Sequence, residues 1–229
     1  MISGVKAQFF TLAAVILAIA LISSAFVMST ITERSYEHTE STQAKYIFEH
    51  IRSEYEKLLD FILANYTQAY HKGQQQNYTV FVEEWKRALI QEYSRRGIEV
   101  HIEILNISIP PPRWNVSPAT STISSIINLT VSDGTATISD VLNLTITYNL
   151  TIFYNVGGDV TITLVRTVNN EAEGVDFANM TVIINRNPYN VIYKGGGLYD
   201  VQNEPLLISS IYVYVTTPVG VYIEALLTP

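Results

Sequence analysis

Between Ala7 and Thr32 the chain carries no charged residue, and its centre, Phe9 to Met28, reads FFTLAAVILAIALISSAFVM. Twenty helical residues at about 1.5 Å each span about 30 Å, the hydrocarbon thickness of a bilayer. Ser23 and Ser24 fit such a helix because their hydroxyls can bond its own carbonyls. Lys6 precedes the run and Glu33-Arg34 come after it, which favours a cytoplasmic N-terminus and an external C-terminus. No second run of this length occurs, so everything after it lies on one side. This predicts a single-pass cell-membrane protein with an extracellular C-terminal domain, its membrane contact made by Phe9–Met28.

Three export routes share this pattern. One is an uncleaved signal anchor. Another is a cleaved signal peptide, with Phe9–Ile22 as apolar region and Ser23-Ser24-Ala25 as the small-residue cleavage site. The third rests on Lys6-Ala7-Gln8-Phe9-Phe10: a basic residue, a small residue, Gln, then an unbroken apolar helix. This resembles the class III signal of archaeal type IV pilin-like proteins. The resemblance covers about 25 residues and implies a leader at 1–7 cut between Ala7 and Gln8. It also implies an apolar helix at 8–32 that stays on the mature chain and packs into a filament core. Leu12 stands where many bacterial pilins carry Glu.

Residues 42–70 place Ala44, Ile47, Phe48, Ile51, Tyr55, Leu58, Leu59, Ile62, Tyr66 and Ala69 at three-four spacing, with Glu49, Arg52, Glu56 and Lys57 largely off that stripe. That predicts an amphipathic stalk helix of about seven turns. Residues 71–76 form a turn, and a second helix is expected over Val80–Arg96. Thr79 is its candidate N-cap, Glu83-Glu84 suit its positive end and Arg95-Arg96 its negative end. Phe81, Trp85, Ala88, Leu89 and Tyr93 form the expected apolar face, and Gly97 the stop. The two helices are expected to pack as a hairpin or against the β domain.

After Gly97 the period changes from 3.6 to two, starting with Ile98, Val100, Ile102 and Ile104. Pro110–Pro112 end that strand and 114–122 reads as a loop. Further strands are expected at 123–131, 135–138, 141–154, 160–168, 177–185, 191–193, 206–216 and 219–227, with turns at 132–134, 156–159 and 217–220. The last two read as an apolar hairpin, central or buried on both faces. The expected class is α+β: a transmembrane/stalk helix and a second helix, 33–97 being the amphipathic part, then an antiparallel β-sandwich over 98–229.

Charge shifts at the same boundary. The first 97 residues carry ten basic and ten acidic side chains, while the rest carry four and eleven, making up the net charge of −7. No basic field attracts nucleic acid. With no Cys there is neither a disulfide framework nor a thiolate site.

Asn-x-Ser/Thr occurs at Asn65, Asn77, Asn106, Asn115, Asn128, Asn143, Asn149 and Asn179. Eight of fifteen Asn carry it, where the Ser/Thr frequency would give about three by chance, and all lie beyond the apolar run. They are candidate N-glycosylation sites and support an external face; Thr-rich strands also generate such triplets, and Pro118 disfavours Asn115. His38, His50, His71 and His101 form no metal motif. Lys194-Gly195-Gly196-Gly197 lacks P-loop spacing and reads as a loop. Glu171, Glu173, Asp176 and Asp200 could meet a cation only if folding gathered them, and an acidic loop is the simpler reading. No catalytic motif is present, so no cofactor and no enzyme activity are expected. Two functions remain. One is a structural or adhesive subunit, or minor pilin, of an archaeal type IV pilus-like filament that associates with itself or other pilin subunits. The other is a monomeric anchored module that binds S-layer, glycan or a partner protein.

Overall fold

The computed structural model describes residues 43–155, 159–205 and 207–229. The leader, Ala7, Gln8, the apolar run, His38 and the turn residues Val156–Gly158 lie outside the described residues. Among the described residues no helix is long and apolar enough to cross a membrane.

Helix α1 is described over 43–71. Its three-four stripe is buried: Ala44, Ile47, Phe48, Ile51, Tyr55, Leu59, Ile62, Leu63 and Ala69. Helix α2 is Thr79–Ser94. The expected Thr79 cap is corrected: Thr79 is already helical, Tyr78 precedes it, and Asn77 Oδ1 accepts the Thr79 N–H at 3.0 Å. Glu83 and Glu84 therefore fall beyond the first turn. Val82 is buried and Ala88 exposed, the reverse of the predicted stripe. The reason is that α2 rests on α1 through larger side chains, Trp85 on Tyr55 and Phe81 on Phe61, both at 5.2 Å between centroids. Gly97, at φ +74°, ends the helix in the left-handed conformation a side chain would resist.

The described residues after Gly97 form eleven strands: β1 Glu99–Ser108, β2 Ala119–Ser132, β3 Thr137–Tyr154, β4 Val160–Val168, β5 Glu171–Gly174, β6 Asn179–Ile184, β7 Asn187–Tyr189, β8 Val191–Gly195, β9 Leu198–Val201, β10 Ile211–Thr216 and β11 Tyr222–Leu227. The large sheet runs β1-β2-β3-β4-β9-β8 with β5 beside β4, and the small one β11-β10-β6-β7. Every pairing is antiparallel. The class is α+β.

Several strand boundaries differ from the periodicity. β2 starts at Ala119, inside the expected loop, because its inward Ser121 and Ser125 are satisfied: Trp114 Nε1 donates to Ser121 Oγ at 3.1 Å, and Ser125 Oγ donates to the Asn106 carbonyl at 2.9 Å. β3 is one strand where the sequence predicts a break at Ser139-Asp140; it pairs with β2 without interruption, and its polar start projects beyond the core. β5, β7 and β9 are at most four residues long, too short to show a period. β10 begins at Ile211 because Asn185 Oδ1 captures the N–H groups of Ser209 and Ser210, which would otherwise extend the ladder. The C-terminal hairpin is not buried on both faces: β10 is central, β11 is an edge, and Tyr212 and Tyr214 point outward.

β2 alternates buried and half-buried residues along its whole length, and β3 does so from Leu144 to Ile152. Their inward side chains meet α1, while β11 closes over β2 and β3. Helices and sheets share one core, so residue 97 separates secondary structures, not cores.

Candidate functional site at the junction of α1 with the sheets

Along β4 the inward positions read Val160, Ile162, Leu164 and then Arg166. The parity of the strand carries a guanidinium into the layer between sheet and helix, where its side chain is only 14% exposed. Three carboxylates answer it. Asp60 of α1 accepts from Nη2 at 2.8 Å and from Nε at 3.4 Å, Glu56 accepts at 2.5 Å, and Glu173 of β5 at 2.7 Å. Tyr148 of β3 donates its hydroxyl to Asp60 at 3.0 Å. Four elements thus converge on one cation. A cleft of about 390 Å³, with Arg52, Glu171 and Glu173 in its wall, wets one side of the cluster.

Burial raises the Asp60 pKa, against the pull of Arg166 and Tyr148. Burial also works against the Arg166 charge, but Asp60 and Glu56 outweigh it and hold its pKa above the ordinary value. A guanidinium keeps its proton throughout the accessible pH range. With that charge at 2.8 Å, Asp60 is the ionised partner at neutral pH. Burial, then the Asp60 charge, pushes the Tyr148 phenol up. One turn earlier on α1, Tyr55 bonds Ser125 Oγ at 2.5 Å, and burial raises its pKa to about 12. These phenols are neutral donors. Breaking a buried pair by removing one partner costs about 3–5 kcal/mol, so the cluster fixes both the rotation and the height of α1 on the sheet.

The C-terminal end of α1 is held by the small sheet. Thr67 Oγ1 accepts from Tyr222 N–H at 3.0 Å, and Gln68 donates to the Gly220 carbonyl at 2.8 Å. His71 pairs with Glu224 at 2.7 Å and packs 4.2 Å from the Tyr222 ring, with Trp114 and Tyr70 completing an aromatic corner. No known family, characterised protein or solved structure matches the chain.

The other residues singled out by sequence are scattered. His50 stacks on Tyr46 at the surface and His101 is exposed on β1. The acids are not gathered: Glu173 serves Arg166, Asp200 pairs with Lys194 at 3.4 Å, and Asp176 accepts the Gly197 N–H at 3.3 Å. Among the described residues no group of three or more acidic, His or Cys side chains could hold a metal. The loop expected over Lys194–Gly197 is shorter: Lys194 and Gly195 end β8, paired with β9, and Gly196-Gly197 form the turn, all three glycines at positive φ. A Cβ on Gly174 would run into the Gly196 carbonyl, so this turn and the end of β5 meet backbone to backbone. Of the eight sequon asparagines, Asn77, Asn106, Asn115, Asn143 and Asn179 are exposed and Asn65, Asn128 and Asn149 half-exposed.

Two features escape a reading of the sequence. The signal for Arg166 is present, as a lone basic residue at inward parity in VTITLVRTV. Periodicity places Phe177 at the start of a strand. It lies before β6, 81% exposed at φ +54°, in a region that bulky residues seldom occupy. Its loop is clamped by Tyr199, whose hydroxyl donates to the Val175 carbonyl at 2.8 Å and accepts the Ala178 N–H at 3.0 Å.

Proposed function

We propose that the chain is a structural subunit of an archaeal type IV pilus-like surface filament, external to the membrane and built as a sandwich-like domain on a helical stalk. The observation that carries this reading is the way α1 is built into the domain. A tether needs only a solvated linker. Here the helix on the C-terminal side of the apolar run is buried along most of one face, locked to β3, β4 and β5 through Asp60 and Arg166 and to β11 through Thr67. Load applied at the N-terminal end of α1 would pass directly into both sheets, as a filament under tension requires. The apolar run Phe9–Met28 is assigned to packing against copies of itself. The mature N-terminus tests the export route: mass spectrometry giving Gln8 supports a pilin-like leader, while Phe26 or Met1 refutes it. Electron microscopy of surface filaments, with antibody against residues 98–229, tests assembly; unlabelled filaments or none refute it.

Phe177 favours a second reading, a monomeric anchored module that binds S-layer, glycan or a partner protein. A rigidly clamped, exposed aromatic in a costly backbone conformation is the kind of side chain that anchors an interface. Under that reading Gln8 is not the mature N-terminus, and Phe177→Ser abolishes cell-surface retention of the partner.

A further inference from the structure

The eight sequons sort by structure into two sets of four. Transfer of a glycan uses the asparagine Nδ2. That nitrogen forms a bond to C1 of the sugar, the C1–O bond to a lipid-phosphate-linked oligosaccharide donor breaks, the phosphate leaves with the electron pair, and one amide proton is released. The triplet must therefore present a free amide and a reachable hydroxyl on backbone that can bend out of its ladder.

Four triplets fail. Asn65 sits in α1 with Nδ2 donating to the Phe61 carbonyl at 2.8 Å. Its partner Thr67 is fully buried, and its hydroxyl is spent on Ala64 and Tyr222. In the Asn115 triplet, Ser117 Oγ accepts from Ile152 N–H at 2.9 Å, and Pro118 comes next. Asn128 lies between Glu103 and Val141, and Asn149 between Thr120 and Val165, each paired on both sides in a central strand.

Four triplets pass. Asn77 is exposed in the α1–α2 connection and Thr79 at the first position of α2, and the Thr79 N–H engages Asn77 Oδ1, not Nδ2. Asn106 lies on the edge strand β1 beside a bulge. Asn143 has a strand partner in β2 only, since the β3–β4 ladder starts at Ile146; on the other side Asn169 Nδ2 donates to its carbonyl at 2.9 Å and Asn169 Oδ1 accepts the Thr145 N–H at 2.8 Å, contacts to backbone that leave the Asn143 amide unbonded and exposed. Asn179 begins β6, where β7 does not yet pair. Asn106 and Asn143 also flank Ile126 from either side, one strand spacing away each. Around them Leu105 and Val141 are more than half exposed, and Asn179 is two residues from Phe177.

We propose that the folded protein carries N-linked glycan at Asn77, Asn106, Asn143 and Asn179 and none at the other four. On the large sheet the sugars cover the exposed Leu105 and Val141, the half-buried Ile126 and the edge of β1, a strand with no Lys to discourage pairing. This rests on the external location in the proposed function, but not on filament assembly.

The test is glycopeptide mass spectrometry of the full chain isolated from its own cells, with electron microscopy of the same cells scored separately. Sugar on at least three of the four open sites and on none of the closed ones is the expected result, and Thr79→Ala should lower the intact mass by one glycan while leaving the thermal midpoint unchanged. Sugar on Asn65, Asn115, Asn128 or Asn149, or on fewer than three open sites, overturns the proposal. Glycosylated protein without filaments would instead sink the filament reading alone.

Discussion

Replacing Arg166 by Met keeps most of the aliphatic volume and removes the charge that four elements share. Glu173 is mostly exposed and can return to water, and Glu56 is partly able to do so. Asp60 cannot: its side chain is only 10% exposed, fixed beneath α1. The cost is therefore set by one stranded carboxylate, about 3–5 kcal/mol, against roughly 10 kcal/mol of total stability for a domain of this size. Urea denaturation at pH 7 of the chain beginning at Ser41 should show the midpoint falling by a third or more, with the slope unchanged. The pH dependence identifies the cause. The folded Asp60 pKa already stands above its unfolded value through burial, so the native state binds more protons there, and this contribution is greatest at low pH and is lost as pH rises through the folded pKa. Removing Arg166 takes away the main force holding that pKa down, so the deficit of the variant should be large at pH 7 and shrink towards pH 4. Asp60→Asn in the Arg166→Met background should restore most of the loss. A deficit below about 1 kcal/mol at pH 7, or one independent of pH, would refute the assignment of Asp60 as a buried carboxylate held by Arg166.

Asp133 behaves in the opposite sense. The Ala136 N–H, then Thr135, hold its carboxyl below the usual range, so its contribution to the β2–β3 turn is present above its unfolded pKa and fades as pH falls through the folded value; the thermal midpoints of wild type and Asp133→Ala should converge below pH 3. Gly174→Ala should destabilise by more than about 2 kcal/mol in chemical denaturation, because its Cβ would meet backbone of the β8–β9 turn, which has no side chain to yield; wild-type stability would show that β5 can move. Phe177→Gly should leave stability unchanged or raise it by up to about 1 kcal/mol by relieving the left-handed backbone, and a loss would mean that its contact with the Tyr193 ring, 5.1 Å between centroids, outweighs that strain. Ala18→Glu should block assembly or membrane insertion as seen by microscopy and fractionation, while Ala18→Gly is milder, and the chain from Ser41 should fold yet never polymerise; filaments from that chain would exclude a helix-core mechanism.

Periodicity by itself determined a good part of this protein. The stripe from Ala44 to Ala69 specifies an amphipathic helix wherever it is placed, because side chains three and four apart share a face. The alternation in β1, β2, β4 and β10 likewise marks strands with one dry face. The uncharged run Phe9–Met28 and the sequons are statements of composition, and they carry the expected membrane contact and external face without any fold. What sequence did not determine is which surfaces meet. Ser121 reads as a loop residue, and Ser125 as a polar interruption of a strand, until Trp114, Tyr55 and the Asn106 carbonyl supply their partners. β5, β7 and β9 are strands only because neighbours complete their hydrogen bonds. Whether a sequon is open depends on a hydroxyl such as that of Thr67 finding a backbone N–H 155 residues away. The ion cluster is the clearest case: Glu56, Asp60, Tyr148, Arg166 and Glu173 are ordinary surface-type residues in sequence, and only the crossing of α1 over β3 and β4 takes Asp60, Tyr148 and Arg166 out of water, where each buried charge must find its partner or cost the fold its stability.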